Sequence, residues 1–181
     1  MMRRHLLQMF PLALLFSREF AFSNVYLTPE AVRGALFPNA TQFIDRSLTL
    51  TKAQAKHIAK ASSVRVNSTQ VKVMAAYANE HALGTLFIDQ VYGKHEFITY
   101  ALSLDLSGTV SGLEIMEYRE SYGDQIRNVN WRRQFFGTKY GQPLRIDEDI
   151  QNISGATLSC VHITNGVRRL LTTYELVFVD G

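Results

Sequence analysis

The chain has 181 residues, 46% hydrophobic and 19% charged, a globular balance with enough sequence for one sizeable core. Nineteen basic and 16 acidic residues give a formal net charge of +3. One cysteine, Cys160, excludes an internal disulfide, multi-cysteine zinc sites and c-type haem attachment.

Residues 1–23 read as an export leader. Arg3, Arg4 and His5 form a basic start, residues 6–16 an apolar stretch broken by Gln8 and Pro11, and Ala21-Phe22-Ser23 a small-residue cleavage site before Asn24. The leader holds Arg3, Arg4 and Arg18 against Glu19, so its removal leaves 16 basic and 15 acidic residues, a net charge of +1. The sequence pI of about 9.1 is therefore no argument for nucleic acid, and no nucleic-acid partner is expected. Arg132-Arg133 and Arg168-Arg169 read as solvated faces. No run of eighteen apolar residues marks a spanning helix.

Residues 24–83 are expected to hold helices and the first strands, and residues 84–181 the functional domain. Thr28-Pro29-Glu30 starts a short helix that stops before Pro38, with Thr as cap and Pro in the first turn. Thr51, three residues before Gln54, forms a capping box for a helix reaching about Ala61; His57 is a surface residue of it. Five β-prone segments follow, at residues 64–66, 71–77, 84–92, 95–104 and 109–118. Asp105-Leu106-Ser107-Gly108 supplies the turn joining the last two. Trp131, Phe135 and Phe136 have helical spacing and read as core more readily than as a stacking platform. Lys94-His95-Glu96 lacks a nucleophile to work with. Residues 174–179 read as a last short strand.

The segment that organises the chain is Asp149 to Leu171. Ile150 and Ile153 bracket polar residues, Ser154-Gly155-Ala156-Thr157 makes a small-residue turn, and Val161, Ile163, Thr164, Val167, Leu170 and Leu171 then recur at helical spacing. Ser154 or Thr157 is expected to cap this helix, running from about Leu158 to Leu171. Its first N–H groups lack carbonyl partners and its dipole end is positive, so a phosphate fits there. The residues alone go no further than an anion-friendly helix start.

Ser154-Gly155-Ala156-Thr157, followed by Leu158-Ser159 and preceded by Asp149 and Ile153, resembles the flavinylation motif of the FMN-binding domain family. The family includes the C subunit of sodium-translocating NADH:quinone reductase, the G subunit of the Rnf complex and exported electron carriers. Tyr92-Gly93-Lys94-His95-Glu96 and Tyr118-Arg119-Glu120-Ser121-Tyr122-Gly123 extend the resemblance to residues 84–172. It implies an α+β fold, a mainly antiparallel sheet packed by helices. It implies FMN joined covalently by a phosphoester to Thr157, attached by a flavin transferase that uses FAD. Ser154, Gly155, Ala156, Leu158 and Ser159 would surround the phosphate and Glu120 the flavin edge; Gly123 permits close backbone approach or a turn. His162 on the following helix is a packing or flavin-tuning residue.

One departure stands out. The family places an acid six residues before the threonine; this chain has Gln151 there, and Asp149 is the nearest substitute. The implied function is an exported, periplasmic or membrane-associated electron carrier passing electrons among membrane electron-transfer proteins, not a stand-alone enzyme, with no catalytic residue and no metal. A non-covalent FMN or phosphate module, or a cofactor-free interaction domain, is the alternative. Cys160 reads as a small buried apolar residue.

Overall fold

The computed structural model describes residues 24–120 and 122–180. The expected leader, residues 1–23, lies outside the described residues. The chain order is β1 (Asn24–Val25), α1 (Pro29–Leu36), β2 (Gln42–Asp45), β3 (Leu48–Thr49), α2 (Lys52–Ser62), β4 (Gln70–Ala78), β5 (His81–Tyr92), β6 (Phe97–Leu104), β7 (Val110–Tyr118), α3 (Val129–Arg132) and α4 (Thr157–Tyr174). Six strands lie in the order β1-β7-β6-β5-β4-β2, every neighbouring pair antiparallel, and β3 pairs with β4. The fold is α+β, as the resemblance implies.

The sheet is covered on both faces. On one, α4 and α2 bring Cys160, Ile163, Val167, Leu170 and Ile58 against Val73, Phe87, Tyr100, Leu102 and Leu113. On the other, α1 sets Val32 and Phe37 against Ala76, Leu86, Ala101 and Met116. Burial on both faces explains why β6, at the middle of the ladder, is an almost unbroken apolar run. Both N-terminal caps form as expected: Thr28 accepts from the Ala31 N–H, and Thr51 and Gln54 make a reciprocal capping box.

Several expectations are corrected. Residues 64–66 do not form a strand: Ser63 ends α2 in the left-handed region, and the connector that follows has no ladder partner. β6 begins at Phe97, not His95, because the N–H groups of His95 and Glu96 donate to the Glu120 carboxylate instead of a neighbouring strand. Residues 174–179 are not a strand. Glu175–Val179 continues α4 as a π-helix, and the Tyr174 and Phe178 rings stack with centroids 6.2 Å apart. Residues four apart meet this way on a helix, whereas a strand would hold their backbones about 13 Å apart.

Of the two arginine pairs, Arg133 is exposed as expected, but Arg132 and Arg169 are not solvated. Arg169 is largely buried and pairs with Asp89 at 2.5 Å, and Tyr100 donates its hydroxyl to the same carboxylate oxygen. Arg132, also largely buried, pairs with Glu114 and donates to the Leu113 carbonyl at 2.6 Å. Strands β1, β2 and β3 carry too few residues to announce themselves by alternation.

Candidate functional site

Residues 153–156 form a turn closed by the Ala156 N–H donating to the Ile153 carbonyl at 2.9 Å. Gly155 occupies its third position with φ +85°, where a side chain would be strained although nothing lies within 4 Å of the place a Cβ would take. Ala156 then caps α4, and no side chain bonds the helix start. The expectation that Ser154 or Thr157 caps the helix is thereby overturned. Ser154 sits two residues too early, and Thr157 is already the first helical residue. The consequence is chemical. The leading N–H groups of an 18-residue helix stay without a side-chain acceptor, and the positive end of its dipole is not neutralised.

Ser154, Gly155, Thr157 and Leu158 are exposed, while Ala156 and Ser159 are buried and anchor the turn. The Thr157 Oγ1 accepts from Asn152 Nδ2 at 3.3 Å, so a neutral donor orients the exposed hydroxyl without enclosing it. Asn152 also accepts from the Ile153 N–H through its own Oδ1, which fixes its amide.

The turn is tied to the end of β7. Tyr118 Oη lies 3.0 Å from Ser159 Oγ and donates to the Tyr122 carbonyl. Burial pushes the Tyr118 phenol above its usual pKa, so it stays a donor. Gly123, φ +97°, faces this junction; a Cβ there would come within 2.5 Å of Tyr118 Oη and 3.2 Å of Ser159 Oγ. Of the two roles read for Gly123, the structure shows a left-handed turn in close approach to these hydroxyls. Tyr122 is 86% exposed beside them.

Glu120 is engaged differently from expectation. Its Oε1 accepts from the N–H groups of His95 at 2.6 Å and Glu96 at 3.0 Å, clasping the β5–β6 loop to the segment after β7. Gly93 makes this possible, since a Cβ there would meet Glu120 Oε1 at 2.6 Å. Partial burial raises the Glu120 carboxyl, but the backbone donors outweigh it and its pKa falls below the ordinary value. Asp149 is also committed: one oxygen accepts from the Arg145 N–H at 2.9 Å and lies 3.3 Å from Arg145 Nε. Gln151 is held by its backbone, its N–H donating to Gln134 Oε1 and its carbonyl accepting from Trp131 Nε1 at 2.7 Å. Trp131 and Phe135 are core residues, 5.2 Å apart edge to face, while Phe136 is exposed.

Cys160 is fully buried and burial raises its thiol pKa, so it is the small apolar residue expected. Sequence reasoning did not find Asn152 or Tyr118. An asparagine five residues before the threonine was a legible signal; a tyrosine 41 residues from its partner serine was not.

The geometry suits a phosphate ester: an exposed hydroxyl, open space over Gly155, unsatisfied helix N–H groups and a rigid base of Ala156 and Ser159. A protein of this class is an α+β domain presenting an anion-ready helix start at the end of an antiparallel sheet. Residues 93–172 match the model of the FMN-binding domain family. The fold is similar to that of the solved structure of NqrC from Shewanella oneidensis, at 13% identity, with a TM-score of 0.51 over 85% of this chain and 76% of that one. No curated relative matches the sequence.

Proposed function

We propose that this protein is an exported flavoprotein electron carrier with FMN joined through its phosphate to Thr157 Oγ1. The observation that carries the reading is the exposed Thr157 hydroxyl at a helix start that no side chain caps, inside the segment matched by the FMN-binding family. The similarity of fold to NqrC supports placement beside membrane electron-transfer proteins. Among the described residues no helix is long and apolar enough to cross a membrane.

Attachment needs FAD and a flavin transferase. The Thr157 oxygen forms a bond to the flavin-side phosphorus, the pyrophosphate P–O bond breaks, AMP leaves and the hydroxyl proton passes to the transferase. The N–H groups of Thr157, Leu158 and Ser159 would hold the phosphate, with Gly155 leaving room beside it and Asn152 donating to the threonine oxygen. Bound FMN supplies the redox chemistry; this chain supplies position and electrostatics. Glu120 acts at a remove, holding the β5–β6 loop in place.

The test is co-expression with a flavin transferase, followed by a denaturing gel. Yellow-green fluorescence should stay with the wild-type band and vanish in Thr157→Ala. A colourless wild-type band whose mass equals the bare polypeptide rejects covalent attachment. Gln151, where the family carries an acid, favours the second reading, a module that holds FMN non-covalently. It predicts FMN that co-purifies under native conditions and is lost on denaturation.

A further inference from the structure

The β4–β5 ladder ends at Lys72↔Ile88, yet β5 runs on to Tyr92 paired only with β6. The 63–69 connector stands off from this extension, and α4 closes the third side. A cleft of about 680 Å³ results, within the ~300–1,000 Å³ range of small-molecule sites. Leu158, His162, Asn165 and Arg169 share one helix face by their spacing, and the last three line the cleft. Its wall therefore begins about 7.5 Å along the helix axis from Thr157, five residues at 1.5 Å each.

Three features describe a ligand. At one end, Tyr92 and Phe97 pack edge to face with centroids 5.2 Å apart, and both remain half exposed, leaving aromatic surface for another ring. Arg65 and Lys72 also line the cleft, and neither forms an ion pair among the described residues. The one acid on the wall, Asp89, is neutralised by Arg169 and hydrogen-bonded by Tyr100, so the net charge of the lining is positive. Finally, His162 and Asn165 add polar groups to the lining from α4.

We propose that this cleft binds a planar aromatic molecule carrying an anionic group, its ring against Tyr92 and Phe97 and its charge toward Arg65 and Lys72. The site goes beyond the FMN reading, because it needs neither Thr157 nor a bound flavin.

The test is calorimetric titration of anthraquinone-2-sulfonate into flavin-free wild type and into Thr157→Ala. Both should bind it one-to-one and saturably, so failure of flavin attachment leaves the result untouched. The double variant Arg65→Ala/Lys72→Ala should weaken binding about tenfold, and more salt should weaken the wild type, since the cations are exposed. Phe97→Ala should weaken it, with unchanged melting temperature confirming the fold; Leu106→Ala, on the exposed 105–109 turn, should not. Absence of saturable binding, or binding that the charge variants leave unchanged, overturns the proposal.

Discussion

At the scale of single residues, the site depends on atoms that are free and atoms that are not. Thr157 is useful because it does not cap: a capping hydroxyl would be occupied by a backbone N–H, whereas this one faces outward with only a neutral amide donor near. Glu120 is the converse, a carboxylate whose Oε1 is taken up by two backbone N–H groups. Its folded-state pKa lies below its unfolded value, so its contribution is complete above the ordinary carboxylate range and is lost as pH falls through the depressed value. Glu120→Gln should therefore melt below wild type at neutral pH, and the difference should shrink in acid; thermal melts across a pH series check this. Gly123→Ala should destabilise by about 1–3 kcal/mol, through left-handed strain and collision with Tyr118 Oη, as read by denaturant titration.

At the scale of elements, α4 carries the site and its seat on the sheet fixes where the site points. Gly166 sets that seat: a Cβ there would lie 2.4 Å from Tyr100 Oη and 2.9 Å from Val91 Cγ1. Gly166→Ala should push the helix off β5 and β6 and cost about 1–3 kcal/mol of stability in urea unfolding, despite the better helix propensity of alanine. The buried threonines of α4 carry no unsatisfied hydroxyl, because Thr164, Thr172 and Thr173 donate to carbonyls four residues earlier. Asp89→Ala should cost more, about 3–5 kcal/mol, since it leaves the Arg169 guanidinium buried without its counter-charge; a double cycle with Arg169→Met would recover part of that loss.

At the scale of the whole molecule, one continuous sheet joins residues 24–83 to the family-matched segment. β4 and β5 pair from Lys72↔Ile88 to Ala78↔His81, and β1 closes the far edge on β7. Unfolding should accordingly be a single cooperative transition. Cys160 reports on it: its thiol sits in the core with a raised pKa, so a thiol reagent should label it only at the rate of global unfolding, not in the native state.

The sequence by itself determined the local features: the two N-terminal caps, the long strands, the small-residue turn and the amphipathic helix after it. Each depends on residues within a few positions of one another, where spacing and side-chain chemistry suffice. Tertiary structure decided the rest. Residues 174–179 are rich in β-prone apolar residues, but Phe178 finds Tyr174 and Phe87 only by continuing the helix. Arg132 and Arg169 look solvated until the sheet brings Glu114 and Asp89 beside them. Ser159 meets Tyr118, and Glu120 meets the β5–β6 loop, across 41 and about 25 residues of chain. Contacts of that separation leave no period in a sequence, because packing, not propensity, selects them.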